Sequence, residues 1–416
     1  MTQPNADRLV LLYRVSQSFN SSLDLDEVLE HVMDEVVAST KAERGFLMLR
    51  APDGALEFRA ARGLDKRKID GPEFHISRGV VERVAREGRP ILTHDAQTDP
   101  RLSAHSSVLK LRLRSILCVP LQLKDKTLGV VYVDNRIQAG LFMQDDLELL
   151  TAIAASAAVA IENARLYQVA VEKGRLEREL QVARQVQASL LPKDTPHIAG
   201  WDFAARWLPA REVAGDYYDF SFGSPPNLDL VVGDVTDKGM PAALFMAVSR
   251  SVVRASLVGA ASLAHGITQA NRLISGDSTN GMFITLFCGR LDPASGVLTY
   301  VNAGHNPPLL YRAADDSLTE LGRTGMALGV DDAHEYRQEV ARLNPGDFVF
   351  LYTDGVTDAP NDQDECFDMD RLRALMHAHG SGSAAQIASA VEDALREFTH
   401  DAPPFDDITL MVAKRL

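Results

Sequence analysis

The chain has 416 residues, an apolar fraction of 46% and a charged fraction of 24%, which together predict a soluble protein of two or three domains. Its formal net charge of −14 argues against the basic surface that binds nucleic acids and disfavours an anionic membrane as a partner. The N-terminus has no basic segment before an apolar core, and no apolar stretch is long enough to span a bilayer. We therefore expect a cytoplasmic protein whose 3 scattered cysteines are reduced, buried thiols.

The first part of the chain predicts a compact module of helices and hairpins. Apolar residues recur at three- and four-residue steps in the first helical region, where Asp24 and Asp26 are candidate caps. Alternating apolar and polar residues on either side of short turns then predict strands. The predicted elements are, in order, helices within 8–40, a hairpin at 45–61, a helix at 77–87, a strand at 91–95, a hairpin at 115–134 and a long helix at 144–167.

The last of these helices continues with a heptad pattern as far as residue 190. The pattern predicts a coiled-coil seam and hence a homodimer, although a single amphipathic helix packed on a domain would give the same periodicity. Three polar seam positions would weaken the coiled coil, which suits a helix that changes its register or packing. Pro192 and Pro196 are expected to end the helix. The seam positions are Val159, Glu162, Leu166, Val169, Lys173, Leu176, Leu180, Ala183, Gln187 and Leu190.

Strands and two helical regions, 241–257 and 384–398, alternate in the second half of the chain. The order of these elements is not a βαβ repeat, and it predicts two packed sheets flanked by helices. The predicted strands are 203–207, 228–232, 283–290, 298–302, 348–352 and 408–414.

Aspartates at the ends of apolar runs are the most informative feature of this half. They lie in the segments VAGDYYDF (Asp216), VVGDVTDKG (Asp234), FLYTDGVTDA (Asp354) and PFDDITLMV (Asp406 and Asp407). A carboxylate beside a buried strand is costly unless it is paired, and several carboxylates together need a cation. Acids that only form turns or caps are the alternative for each segment taken singly. Carboxylates without a histidine or cysteine cluster suit Mg²⁺ or Mn²⁺ better than structural zinc.

Five segments in the order GDYYDF, GDVTDKGMPAAL, NAGHNPPLL, LYTDGVTDA and DDITLMV resemble the PPM-type metal-dependent serine/threonine phosphatases. The resemblance covers about residues 200–415 and is closest to the bacterial SpoIIE/RsbU group. It implies an α-β-β-α sandwich that holds two Mn²⁺ or Mg²⁺ ions. By this resemblance Asp234 bridges the ions, the carbonyl of Val235 adds a ligand, and Asp216, Asp354 and Asp406 complete the two shells. Asp407 is the less favoured member of its pair, although it stays among the predicted metal ligands.

The implied chemistry uses a metal-activated water as the nucleophile, and we predict no catalytic side chain. His305 could protonate the leaving group or could simply support a tight turn. Arg211 and Lys238 could bind phosphate or could be solvated loop residues. Asp219 could support the metal shell or could be a surface or strand-end acid.

The segments ERGFLMLR, SILCVPLQLKDKTLGVVYVDN and FMQDDLELLTAIAASAAVAIENARLY resemble a GAF domain over about residues 22–166. This resemblance implies a sensor that binds a small molecule or a partner protein, and the cofactor-binding residues are unknown. His94, Cys118 and Asn135 are candidate polar residues of a ligand pocket, or else ordinary core and loop residues.

Together these features predict a multidomain α/β chain. Its parts are an N-terminal helix (1–21), an α+β GAF-like sensor (22–158), a coiled-coil linker (159–195) and a phosphatase sandwich (196–416). We expect a sensor-regulated protein serine/threonine phosphatase, in which the signal travels along the linker. In the resembling group the usual substrate is a phosphorylated STAS-domain anti-sigma-factor antagonist of a partner-switching cascade. The alternatives are a catalytically silent scaffold that binds phosphoproteins and a phosphodiesterase that acts on small phosphoesters.

Overall fold

The computed structural model describes residues 3–63, 68–69, 71, 75–100, 106–222, 226–277, 281–400 and 402–416. The chain forms two compact units, Met1–Arg175 and Leu176–Leu416.

The first unit is built on one antiparallel sheet of five strands in the order β2-β1-β5-β4-β3. Helices α2 and α5 cover one face of the sheet, whereas α3 and α4 cover the other. The elements are α1 (Gln3–Phe19), α2 (Leu25–Thr40), β1 (Arg44–Arg50), β2 (Leu56–Gly63), α3 (Arg78–Glu87), β3 (Ile91–Thr93), α4 (Ser106–Lys110), β4 (Ser115–Leu123), β5 (Lys126–Asn135) and α5 (Gln144–Leu190).

Local sequence explains how these elements begin and which face they bury. The Asp24 side chain accepts hydrogen bonds from the backbone N–H groups of Asp26 and Glu27, so Asp24 is the N-cap and Asp26 lies in the first turn of α2. In β5 the side chain of Val131 packs beneath α2 and α5, while its neighbour Tyr132 packs beneath α3. Both faces of the sheet are therefore buried.

Helix α5 is one continuous element that ends two residues before Pro192. Among the described residues it is the one helix that is long and apolar enough to cross a membrane, judged by length and composition. Part of this apolar stretch belongs to the core, because Ile153, Ala157 and Ile161 are buried within the first unit. Farther along, Leu166 is 58% exposed.

The second unit is an α-β-β-α sandwich of two five-stranded sheets, as expected. The sheets have the strand orders β13-β10-β9-β8-β7 and β12-β11-β14-β15-β6. The elements are β6 (Trp201–Leu208), β7 (Tyr217–Ser221), β8 (Leu228–Val235), α6 (Met240–Leu257), α7 (Leu263–Asp277), β9 (Ile284–Asp292), β10 (Val297–Ala303), β11 (Leu309–Arg312), β12 (Ser317–Glu320), β13 (Glu339–Arg342), β14 (Phe348–Tyr352), α8 (Asp368–His379), α9 (Ala384–Phe398) and β15 (Ile408–Arg415).

Three apolar layers hold the sandwich together. The inner faces of the two sheets meet through side chains such as Leu230, Phe287 and Met411. Helices α6 and α7 cover the outer face of one sheet, and α8 and α9 cover that of the other. This arrangement leaves the ends of the central strands as the place where polar side chains from both sheets meet.

Three sequence expectations need correction. The second unit has helices α7 and α8 in addition to the two that were predicted. Cys366 is exposed, whereas Cys118 and Cys288 are buried as expected. Gln187 was assigned to the coiled-coil seam, yet it is buried against its own unit.

Candidate metal centre

Strand register brings the predicted aspartates together in pairs. Strands β7 and β8 pair with Tyr217 opposite Gly233, so Asp216 and Asp234 are neighbours at the same end of one sheet. In the other sheet, Thr353 follows β14 and bonds through its backbone N–H to Thr409. Asp354 therefore lies at the end of that sheet where β15 begins, next to Asp406 and Asp407.

The two pairs meet across the sandwich. The hydroxyl of Thr353 donates a hydrogen bond of 2.7 Å to Oδ2 of Asp216 and accepts one of 2.9 Å from the backbone N–H of Thr409. Thr353 is fully buried and Asp216 is only 2% exposed. This contact fixes the end of β14 against the start of β7.

Burial and mutual repulsion raise the pKa values of these carboxyl groups. Burial is the main cause for Asp234, whose pKa rises to about 7, and the charges of Asp354 and Asp406 add to it. Burial also raises the pKa of Asp216 well above its usual range, with further contributions from Asp234 and Asp407. The pKa of Asp354 is raised first by burial and then by Asp406. Carboxylates that destabilise one another in this way form a site for positive charge.

Asp407 and Asp406 have different surroundings. The two oxygens of Asp407 accept hydrogen bonds from the backbone N–H groups of Ala210 (2.8 Å) and Gly215 (2.7 Å). Asp407 therefore holds the loop that leads into Asp216. Asp406 instead lies 2.9 Å from Nζ of Lys238, which also donates to the carbonyl of Phe405.

Two glycines allow the backbone to pack closely at this site. A Cβ atom on Gly355 would lie 2.1 Å from the carbonyl oxygen of Asp407, a distance that no side chain can adopt. At Gly215 it would lie 3.0 Å from the carbonyl oxygen of Val235. Close packing beside the acids therefore requires a glycine at position 355, directly after Asp354.

Within the described residues, no three ligand-type side chains converge as a complete metal cage. The donor set nevertheless fits a hard cation, because buried carboxylates with raised pKa values lie next to one another. The positive charge that pairs with them among the described residues is that of Lys238, at Asp406. The assignment of Asp216, Asp234, Val235, Asp354, Asp406 and Asp407 as ligands stays a prediction.

His305 is a structural residue. It is fully buried, its Nδ1 lies 2.8 Å from the hydroxyl of Thr285, and its backbone N–H donates to the side chain of Asn302. Burial lowers the pKa of His305 to about 4, so the ring is neutral near pH 7. A neutral buried imidazole is a poor proton donor for a leaving group.

Asp219 is neither a surface acid nor part of the acid cluster. Its carboxylate is 3% exposed and forms ion pairs of 3.1 Å with Arg250 and with Arg254 of α6. Sequence reasoning missed this role because the two arginines lie more than thirty residues away. Arg211 is exposed within the loop that Asp407 holds.

The first unit contains a cavity of about 820 Å³ between the β1–β2 hairpin and α3, with Arg50, Phe58 and Arg86 among its lining residues. The three polar candidates from the sequence do not line it. Cys118 is buried in the core, His94 is exposed, and Asn135 accepts backbone hydrogen bonds in a turn. They are core and loop residues.

Comparisons with known proteins agree with both units. Residues 224–416 match the family model for stage II sporulation protein E (SpoIIE), and residues 22–162 match a GAF-domain model. Protein IcfG of Synechocystis is 31% identical in an alignment 272 residues long, which covers 59% of this chain and 43% of IcfG. Phosphoserine phosphatase RsbU of Bacillus subtilis is 28% identical over 240 residues, 58% of this chain and 71% of RsbU. The chain thus matches less than half the length of IcfG.

Among solved structures, the SiaA-PP2C domain of Pseudomonas aeruginosa superposes with a TM-score of 0.53 at 21% identity, over 59% of this chain and 99% of that domain. This likeness concerns the fold. The family matches, the α-β-β-α sandwich and the aspartates at its strand ends agree with one another: the chain carries a GAF domain at residues 22–162 and a SpoIIE-type PPM phosphatase domain that matches over residues 224–416.

Proposed function

We propose that this protein is a GAF-regulated, divalent-metal-dependent protein serine/threonine phosphatase. The observation that carries the proposal is the meeting of Asp216, Asp234, Asp354 and Asp406 at one end of the sandwich, where burial and the neighbouring negative charges raise the pKa values of the first three. Such an arrangement costs free energy that a bound cation would offset. RsbU, whose name is phosphoserine phosphatase, supports the same reaction class.

The four aspartate side chains and the carbonyl of Val235 would hold two Mn²⁺ or Mg²⁺ ions. When bound, the ions would lower the pKa of a water nucleophile and neutralise charge on the phosphoryl oxygens. The protein positions the carboxylates through Thr353 and through the backbone bonds to Asp407. The proposed reaction uses no side-chain nucleophile and no proton from His305, whose ring is buried and neutral near pH 7.

Within the described ranges, Lys238 is the basic residue that forms an ion pair with Asp406. Its ammonium group lies 2.9 Å from that carboxylate and 4.7 Å from the ring centre of Phe405, and its side chain is 35% exposed. An accessible ammonium at the edge of the acids can attract the phosphate of a substrate. We assign Lys238 to substrate binding rather than to the metal shell.

The proposed substrate is a phosphorylated STAS-domain protein of a partner-switching cascade. The support is the similarity to RsbU and the SpoIIE family match. A cytoplasmic location belongs to the same proposal, and so does a small molecule or protein as the input of the GAF domain. We also propose a homodimer through α5, because Leu166, Val169 and Leu176 at predicted seam positions are 58%, 60% and 54% exposed.

Hydrolysis assays on the full chain test the activity. p-Nitrophenyl phosphate and a phosphorylated STAS-domain protein are each incubated with Mn²⁺, with and without a chelator. The variant Asp234→Asn should lose at least about 100-fold in rate, because the site then lacks a bridging charge. Asp237→Asn is the matched control, since Asp237 is an exposed acid in the same loop and asparagine tolerates its positive φ of 71°.

Equal hydrolysis by wild type and Asp234→Asn would contradict the proposed enzyme. Binding of the phosphoprotein without any turnover would favour the silent scaffold instead. Nucleotide phosphodiesters hydrolysed faster than the phosphoprotein would favour the phosphodiesterase.

A further inference from the structure

The last turn of α5 is hydrogen-bonded to the chain that carries Asp216. The Gln187 side chain is buried, and its Nε2 donates to the carbonyl of Ala214 at 2.6 Å. Its Oε1 accepts from the backbone N–H of the same residue at 3.0 Å. The side-chain amide of Gln187 therefore satisfies both the backbone carbonyl and the backbone N–H of Ala214, which is fully buried.

A second contact lies on the other side of Asp216. The hydroxyl of Tyr218 donates a hydrogen bond of 3.1 Å to the carbonyl of Pro192, just past the end of α5. Leu191, between the helix and this proline, is buried in the core beneath α6. Ala214 and Tyr218 each lie two residues from Asp216. The end of α5 thus contacts the chain on both sides of this aspartate.

The segment between these contacts leads directly into the acid cluster. The Gly215 N–H donates to Asp407, and the indole N–H of Trp207 donates to the carbonyl of Asp216 at 3.0 Å. A movement of Ala214 would have to shift Gly215 and with it the bond to Asp407. The position of Asp216 therefore depends on where the last turn of α5 holds Ala214.

We propose that Gln187 is a positioning residue that couples the end of α5 to the divalent-cation affinity of the aspartate cluster. The inference rests on the proposed phosphatase function. When Gln187 bonds to Ala214, Asp216 is held beside Asp234. When α5 rotates or withdraws, Ala214 loses both hydrogen bonds, Asp216 is released, and the cation affinity falls. Gln187 touches no substrate, so it acts only through the peptide that it holds.

A purely structural role for Gln187 predicts something different. It would lower the melting temperature of the metal-free chain and leave the cation affinity of the folded protein unchanged. A positioning role lowers the affinity for the cation while kcat at saturating cation is largely kept, because the same carboxylates are present once the ions have bound. Comparing the change in cation affinity with the change in metal-free melting temperature separates the two roles.

The test compares full-length wild type with Gln187→Leu and Gln187→Glu. Leucine removes both hydrogen bonds at similar volume, whereas glutamate keeps the acceptor and loses the donor to Ala214. Gln185→Leu is the matched control, because Gln185 lies on the same turn of α5 and is exposed. Mn²⁺ affinity is measured by calorimetry and by tryptophan fluorescence, for which Trp207 is a reporter next to Asp216. Melting curves without metal and kcat at saturating Mn²⁺ complete the set.

We expect both Gln187 variants to bind Mn²⁺ about 10- to 100-fold more weakly than wild type, as is typical for groups that orient metal ligands, and Gln185→Leu to match wild type. Equal Mn²⁺ affinity in wild type and a folded Gln187 variant would overturn the inference. So would an equal loss in Gln185→Leu, or a fall in kcat with unchanged affinity. If Gln187→Leu does not fold, the Gln187→Glu result decides. A wild type that binds Mn²⁺ but hydrolyses no phosphoester would refute the proposed function alone.

Discussion

Thr353 donates a hydrogen bond of 2.7 Å to Asp216 and thereby joins the end of β14 in one sheet to the start of β7 in the other. The same hydroxyl accepts from the backbone N–H of Thr409. Because Asp216, Thr353 and Thr409 are buried, the hydroxyl supplies hydrogen bonds that water cannot readily replace. Thr353 therefore serves both the packing of the sandwich and the orientation of Asp216.

Replacing Thr353 with valine should destabilise the metal-free chain by about 1–3 kcal/mol, since a buried N–H and a buried carboxyl lose their partner at nearly constant volume. Mn²⁺ affinity should also fall, because the Asp216 side chain is free to turn. Denaturant unfolding and calorimetry measure the two effects. Thr353→Ser keeps the hydroxyl and should stay close to wild type in both. A valine variant as stable as wild type would show that the hydroxyl bridge contributes little.

Asp406 and Asp407 are adjacent in sequence and should respond differently to the same substitution. Asp407→Asn places an amide NH₂ group against one of the two backbone N–H donors from Ala210 and Gly215. We expect a loss of about 1–3 kcal/mol in the free energy of unfolding. Asp406→Asn should leave the metal-free stability near that of wild type, because it removes repulsion with Asp234 and Asp354.

Metal binding should show the opposite order. Asp406→Asn should weaken Mn²⁺ binding more than Asp407→Asn does, since backbone N–H groups hold both oxygens of Asp407. Asp406 accepts only one backbone hydrogen bond among the described residues, and its other oxygen contacts the partly exposed Lys238. Calorimetric titration of the two variants decides. If Asp407→Asn lost more Mn²⁺ affinity while keeping its stability, Asp407 would be the metal ligand of the pair.

The pattern of the sequence specified much of this arrangement. The strand 348–352 and the helix 384–398 have the bounds that were predicted, because each is a strongly periodic apolar segment with clear end signals. The aspartates could be selected because they lie at or next to the ends of such strands. Their proximity depends on strand register, which hydrophobic alternation largely fixes.

Other features could not be read from the chain. Strands β11, β12 and β13 have only four residues each and little alternation. Helix α7 contains Gly266 and the buried, hydrogen-bonded Asn271, and both interrupt an apolar pattern. Gln187 occurs at a heptad position, and periodicity cannot distinguish a partner helix from the domain of the same chain. The contact with Ala214 becomes visible only in three dimensions.

The pH of the solution should control cation binding through the protonation of Asp234. Burial and the charges of Asp354 and Asp406 raise the pKa of Asp234 to about 7, so the metal-free site carries a proton below that pH. Mn²⁺ must displace this proton, and its affinity should therefore rise with pH, by up to about tenfold per unit between pH 6 and 7. Calorimetry in two buffers with different ionisation enthalpies counts the protons released. A Mn²⁺ affinity that does not change across this range would contradict the presence of this proton in the metal-free site.

The stability of the metal-free chain should change with pH in the opposite direction. The pKa of Asp234 in the folded state lies above that of an unfolded aspartate, which is about 3.9. The folded state thus binds the proton more tightly, and this group stabilises folding progressively as the pH falls from about 7 to about 4. Thermal melts with a chelator should show this contribution reduced in Asp234→Asn, which has no proton to bind.

Lys238 should influence the cation and the substrate in opposite ways. Lys238→Gln removes a positive charge 2.9 Å from Asp406, so Mn²⁺ should bind more tightly while KM for a phosphoprotein should rise. Both changes should shrink at high salt, because the side chain is partly exposed. Lys238→Arg keeps the charge and should keep both constants near wild type. If KM were unchanged in Lys238→Gln, the lysine would have no part in substrate binding.

The dimer proposed through α5 depends on apolar residues that are exposed on a single chain. Leu176 is 54% exposed, and Leu180 lies one helical turn farther at the next seam position. The double variant Leu176→Asp with Leu180→Asp should be a monomer by light scattering, because it places charges in an apolar seam. The pair Gln181→Asp with Gln185→Asp has the same spacing and charge at exposed positions outside the seam, and it should remain a dimer. A monomeric wild type at micromolar concentration would exclude the seam. Dissociation of both variants would instead indicate that added charge anywhere on α5 separates the helices, so that the register assigned to Leu176 and Leu180 would be wrong.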